Sequence, residues 1–330
     1  MRDWTARGIA LLALLTVGWF GGRAFSARHT PSWTQTPGKL RALTTILPIY
    51  DFARRIGGED VEVRNLLPPG VDPHEFALRP QDVTLVAQAD LILSNGSGLD
   101  EFLTEALRNG EITGKPIVAL SEGLPKLQVK GHHHHAERAH HDEHDHGAED
   151  APGDPHLWLD PLYAKAYVEK IAAALTQAAQ QRPDSQRVIG GIRERAARLL
   201  RELDRLDADY RRTLTPLQHE SFIAFHSAFA YLAARYRLQM ADIWQTTAGK
   251  DPSPREVSAL LETVKRQSVR AFFAEPQFSS RALEMIATDA RVPVYILDPM
   301  ETAPDLNRAD YLQVMRANLA TLERALQPRR

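Results

Sequence analysis

Apolar residues in this chain occur in two patterns: short unbroken runs, and stripes at helical spacing. The run ALTTIL (Ala42–Leu47) reads as a buried strand, and IYDFARRIG after it as a helix closed by Gly57. VEVRNLL (Val61–Leu67) is a second strand, stopped by PPG. RPQDVTLVAQA is helical, with Pro80 in its first turn. DLILS is a strand, GLDEFLTEALRNG a helix with Gly110 after its end, and PIVAL (Pro116–Leu120) a strand. This strand–helix alternation predicts a mainly parallel sheet covered by helices.

The rhythm stops between Leu124 and Gly153, where no apolar periodicity is left. A loop of this length inside a domain is either functional or unstructured. An Ala-rich helical stretch follows from Pro161 to Gln181, then a longer one from Asp184 to Leu214. In the longer stretch Val188, Ile192, Ala196, Leu199, Leu203, Leu206 and Tyr210 fall at spacings of three and four, which makes one apolar stripe. About 30 residues at 1.5 Å each span roughly 45 Å, the length of a strut between two lobes. The alternation then resumes. Strands SFIAF (Ser221–Phe225), LQMADIW, VRAFFA (Val269–Ala274) and VPVYIL (Val292–Leu297) are separated by helical segments, and RADYLQVMRANLATLERAL closes the chain as a helix. The expected organisation is α/β: an N-terminal lobe over 38–183, a linking helix over 184–214 and a C-terminal lobe over 215–330.

The first 27 residues stand apart. Arg2 and Arg7 precede the apolar run GIALLALLTVGWF, and Ala24-Phe25-Ser26 offers small residues at the two positions read by signal peptidase. This layout is that of a secretory signal, with an uncleaved anchor as the alternative. The run is shorter than the roughly 20 residues of a membrane span. The body of the protein is thus expected outside the cytoplasm. The chain has no Cys, which excludes disulfides, thiolate metal sites and lipid attachment through an N-terminal Cys. Without a lipid anchor the expected location is the periplasm. Lys+Arg is 40 against Asp+Glu 42, a formal charge of −2, so nothing in the charge favours nucleic acid as a partner.

Ligands of parallel α/β sheets bind beyond the carboxyl ends of the strands. His226 directly follows SFIAF, Glu275 follows VRAFFA and Asp298 follows VPVYIL. His74 lies in PPGVDPHEF after the second strand, with Glu75 beside it, and His156 lies in GDPHLWLDP. Singly, a histidine near a strand end is ordinarily a hydrogen-bonded surface group, and an Asp before Pro a turn former. Together they form a pattern. Asp-Pro-His occurs twice, at Asp72–His74 and Asp154–His156, and each Pro stiffens the backbone before an imidazole. Three imidazoles and one carboxylate suit a tetrahedral divalent ion such as zinc, whereas calcium or magnesium would call for more oxygen. Four protein donors leave no open position for a catalytic water, which argues for holding an ion. The motifs H-E-x-x-H and G-x-S-x-G and a phosphate-binding Gly loop do not occur, so no enzyme is expected. On strand-end logic Asp298 and Glu275 remain rivals for the fourth position, with Glu75 behind them.

The loop GHHHHAERAHHDEHDHG carries eight of the 13 histidines: His132, His133, His134, His135, His140, His141, His144 and His146. It has too little apolar character to pack into a core, so residues 130–148 are expected to form an accessory that binds metal weakly.

PPGVDPHEFALRPQDVTLVAQADLILSNG, DPHLWLDP, FHSAFAYLAARYRL, AEPQFS and YILDP, in that order, resemble the solute-binding proteins of zinc and manganese ABC transporters. The resemblance runs over roughly Leu43–Leu326. It implies two Rossmann-like α/β lobes joined by a long rigid helix, with the metal in the crevice between them. It implies His74, His156, His226 and Asp298 as ligands, and ranks Asp298 above Glu275. An imidazole at His226, where manganese-type members usually carry a carboxylate, favours zinc. The implied partners are an inner-membrane ABC permease and its ATPase, served by a monomeric carrier. The alternatives are a manganese or iron carrier of the same fold, a secreted zinc-dependent hydrolase, and a metal-binding adhesin.

Overall fold

Pro48 decides where the first strand gives way to the first helix. Strand β1 (Leu40–Thr44) ends short of Leu47, because Leu47 and Pro48 already form the first turn of α1 (Leu47–Gly57). Proline fits that turn, where its missing N–H has no intrahelical partner. In the computed structural model, which describes residues 33, 38–110, 113–128, 153–244, 252–279 and 281–327, the chain continues through β2 (Val61–Asn65), α2 (Pro80–Ala87), β3 (Leu91–Ser94), α3 (Glu101–Arg108) and β4 (Ile117–Ala119). Helices α4 (Pro161–Ala179) and α5 (Ser185–Leu214) follow. The remainder is β5 (Ser221–Ala224), α6 (Ala230–Tyr236), β6 (Gln239–Ile243), α7 (Pro254–Gln267), β7 (Ala271–Ala274), α8 (Arg281–Ala290), β8 (Val294–Ile296) and α9 (Tyr311–Leu326). Residues 1–27 and the loop 130–148 lie outside the described residues, so the signal and loop expectations are not addressed by the fold. No described helix is long and apolar enough to cross a membrane.

Two four-stranded parallel sheets result, ordered β2-β1-β3-β4 and β6-β5-β7-β8. The central strands are buried on both faces, as parallel strands between helices must be: β3, β5 and β7 are buried throughout, whereas the edge strands β4 and β8 are half-buried. In both sheets the chain runs from the first strand to one side and then crosses to the other. This topological switch is where such sheets place their ligands.

The predicted stripe of α5 is its buried face: Val188, Ile192, Ala196, Leu199, Leu203, Leu206 and Tyr210 are all buried. That face packs on α1 and α4 from the first half of the chain and on α9 from the second. One apolar core therefore reaches from β1 and α1 through α5 to β5, β7 and α9. Buried hydrogen bonds run through the same region. The Tyr210 hydroxyl donates to the Met315 carbonyl (2.7 Å), the Tyr311 hydroxyl to the Trp158 carbonyl (2.6 Å), and the Tyr311 N–H to Asp51 Oδ2 (3.0 Å).

Because the core is shared, Leu203→Ala is expected to destabilise the whole protein by about 2–5 kcal/mol. Denaturant melts should show one transition shifted as a unit; two separated transitions would show that the lobes fold independently.

Candidate metal centre

Each of the two Asp-Pro-His segments turns on its own aspartate. Asp72 Oδ1 accepts the His74 N–H (2.8 Å), and Asp154 Oδ1 accepts the His156 N–H (3.0 Å). An aspartate that caps the backbone two residues on makes a tight local turn, here stiffened by the intervening Pro. The Asn95 amide donates to the Pro155 carbonyl (2.9 Å), and Tyr167 donates to Asn95 Oδ1 (2.8 Å), so the segment carrying His156 is pinned to the end of β3. His226 follows β5. The parallel register that sets Ala224 beside Phe273 carries on to bring His226 beside Glu275.

The fourth group comes from a turn that the sequence does not reveal. After β8, Asp298 Oδ1 accepts the Met300 N–H (2.7 Å), while Asn318 of α9 holds both the N–H and the carbonyl of Asp298 (2.9 and 2.7 Å). Trp158 Nε1 donates to the Pro299 carbonyl (2.9 Å). Met300 sits at φ 58°, a left-handed conformation that a non-glycine residue rarely adopts. The turn delivers Glu301 to the three histidines. Glu301 Oε1 lies 2.8 Å from His156 Nε2 and 3.3 Å from both His74 Nε2 and His226 Nε2. His156 Nε2 is in turn 3.2 Å from the Nε2 atoms of His74 and His226.

The structure thus groups His74, His156, His226 and Glu301, with one donor atom from each lying within 4.8 Å of the others. The expected fourth residue, Asp298, stands outside this group among the described residues, its Oδ1 engaged in the turn. Glu275 also stands outside it, on the far side of an imidazole: its Oε1 faces His226 Nδ1 at 2.6 Å. Glu75 is exposed and outside it too. The eight loop histidines, His132 to His146, lie outside the described residues. The strand-end rule missed Glu301 because that rule weighs the residue directly after a strand. The available signal was a second acidic residue three positions further on, in DPME.

Donor chemistry and spacing suit a tetrahedral ion. Four donors at about 2.0–2.1 Å from a zinc ion lie about 3.3 Å from one another, close to the five separations given above. Two imidazoles show how their inner nitrogens are aimed. His156 Nδ1 faces Asp154 Oδ1 at 2.9 Å, and His226 Nδ1 faces Glu275. A carboxylate that accepts a hydrogen bond from Nδ1–H keeps the proton on that nitrogen and leaves the Nε2 lone pair for a metal. Asp154 also accepts from Ser227 through Oδ2 (2.7 Å), which ties the His156 segment to the residue after His226. The His156 and Glu301 side chains are fully buried, while those of His74 and His226 are 17% and 12% exposed, so solvent reaches the centre along those two rings.

The neighbouring groups set the proton affinities of these side chains. Burial opposes a charge on His156, but Asp154 and Glu301 outweigh it and raise its pKa to about 9. Burial likewise opposes a charge on His226, and Glu275 and Glu301 raise its pKa well above the ordinary value. Burial would raise Glu301, yet His226 and the hydrogen bonds from the imidazoles hold it well below the usual carboxylate range. Without metal, protons on the imidazoles balance the buried carboxylates.

Residues 43–325 match the family described as Zinc-uptake complex component A periplasmic (ZnuA). The zinc-binding protein AdcA of Streptococcus pyogenes serotype M3 is 28% identical over 294 residues, which cover 86% of this chain and 56% of that protein. The chain thus spans about half the length of the AdcA proteins it matches. A putative metal-binding protein of Treponema pallidum is 27% identical over 296 residues, 90% of each chain. The crystal structure of ZnuA superposes with a TM-score of 0.71 at 27% identity, covering 88% of this chain and all of that one. On a family match that takes in nearly all of both sheets and all four clustered residues, the chain belongs to the zinc-uptake complex component A family.

Proposed function

We propose that this protein captures Zn²⁺ outside the cytoplasm and hands it to an ABC importer composed of a membrane permease and an ATPase. The observation that carries the reading is the meeting of three Nε2 atoms and one buried carboxylate oxygen at a single point. The ion is cargo. His74, His156 and His226 supply neutral nitrogens and Glu301 supplies one negative charge, a set that leaves no open position for an attacking water. Asp154 and Glu275 hold two of the rings in the tautomer that binds, and the Asp298 turn holds Glu301 in place. Family membership and the secretory layout of residues 1–27 support the periplasm as the place of capture.

Isosteric amides separate the two acidic candidates. Glu301→Gln should weaken zinc binding by more than about 100-fold, beyond the 10–100-fold typical of losing an outer partner. Asp298→Asn keeps an acceptor for the Met300 N–H and should leave the affinity within about tenfold. Competition against a chromogenic chelator reads both, and the reverse order would make Asp298 the ligand.

Binding should release protons. At pH 7 the metal-free His156, with its pKa of about 9, is charged, and the metal needs its lone pair. Apparent zinc affinity should therefore climb as pH rises towards about 9. For the metal-free fold the sign is opposite. Stability from the raised His156 is complete below its unfolded value of about 6.5. It is lost as pH rises through about 9. Calorimetry in buffers of different ionisation enthalpy measures the proton count; a heat independent of buffer would contradict this.

Among the described residues, which do not include the histidine-rich loop, four side chains already make up a tetrahedral donor set. Deleting Lys130–Ala148 should keep one tight zinc equivalent and remove only additional, weaker ones, as titration calorimetry would show. Loss of the tight equivalent on deletion would move the site to the loop.

A further inference from the structure

The two oxygens of Glu301 have different surroundings. Oε1 faces all three imidazole Nε2 atoms, at 2.8 to 3.3 Å. Oε2 accepts instead from the side-chain amide of Gln277, at 3.0 Å. The same Gln277 nitrogen donates to Glu275 Oε2, also at 3.0 Å. The amide's orientation follows from its neighbours. Both are carboxylate oxygens, which only accept, so the NH₂ end must face them. Glu275 in turn uses its other oxygen, Oε1, on His226 Nδ1. Gln277 therefore closes a ring that runs from His226 through Glu275 and the amide to Glu301, and back to His226 Nε2. It lies in the turn after β7, half-buried.

We propose that Gln277 is the specificity-determining residue of this centre: by occupying Glu301 Oε2 it leaves Oε1 alone for the ion and holds the site to four donors. The inference rests on the zinc reading above and deepens it. A carboxylate free at both oxygens can chelate, adding a fifth donor and moving the site towards the higher coordination that larger, oxygen-preferring ions such as Mn²⁺ adopt. A carboxylate whose second oxygen is held by a directed hydrogen bond is biased towards presenting one donor, which suits tetrahedral zinc. Charge alone does not explain the arrangement, because a lysine at this position would balance two carboxylates better than a neutral amide. What the amide supplies is two directed N–H groups, one for each neighbouring acid.

Gln277→Leu and Gln277→Met both remove the donor while keeping apolar bulk in a half-buried turn, so one serves if the other folds poorly. Two readouts apply to the full-length protein. The first is the visible absorption of the Co²⁺-loaded protein, intense for four-coordinate cobalt and faint for higher coordination. The second is the ratio of Zn²⁺ to Mn²⁺ affinity by direct competition. The wild type should give the intense spectrum, and the variants should give a fainter one with a Zn²⁺/Mn²⁺ ratio lowered about tenfold or more. Variants that keep both the intense spectrum and the wild-type ratio would overturn the role of Gln277 and leave the carrier reading standing. Zinc and cobalt uptake indifferent to Glu301→Gln would likewise overturn the role of Gln277, whereas a wild type that takes up neither Co²⁺ nor Zn²⁺ stoichiometrically would overturn the carrier reading itself.

Discussion

The candidate metal centre depends on one continuous apolar core that both sheets share. Its four clustered side chains come from the turn after β2, the segment before α4, the end of β5 and the turn after β8. Donors so far apart in sequence meet within tetrahedral distances only if the elements that carry them cannot shift against one another. Helix α5 meets that requirement with a single stripe that packs on α1, α4 and α9 together. Close-packed interiors resist small displacements, and the buried bonds from Tyr311, Trp158 and Tyr210 set the register of that packing. Trp158 lies two residues beyond His156 and bonds the Pro299 carbonyl two residues before Glu301, so one side chain relates two of the donors directly.

A second constraint is charge. Asp154, Glu275 and Glu301 are all buried beside three imidazoles. Buried carboxylates are tolerated only when something positive accompanies them. The raised proton affinities of His156 and His226 meet that need. A divalent cation held by the cluster would meet it by displacing those protons. Asp154, bonded to both His156 and Ser227, links the two halves of the site.

The sequence revealed the parts of this architecture that follow from periodicity. The alternation of apolar runs and stripes shows two parallel sheets, and the spacing from Val188 to Tyr210 shows the helix between them. The three histidines stood out because strand ends and Asp-Pro turns have local signatures. Strand limits were less legible: the apolar run continued to Leu47, but Pro48 committed the chain to a helix first. Glu301 was not legible, because its position depends on a left-handed Met300 and on a clamp from Asn318, a residue of a helix that begins ten residues after Glu301. Gln277 was not legible either. Its meaning lies in which oxygen it occupies, and that is a matter of geometry between segments distant in the chain.

The most direct test is anomalous diffraction at the zinc edge from crystals of the protein loaded with one equivalent of Zn²⁺. The expected result is one peak at about 2.0–2.2 Å from Nε2 of His74, His156 and His226 and from a single oxygen of Glu301. A peak bonded to Asp298 or Glu275, with Glu301 turned away, would contradict it.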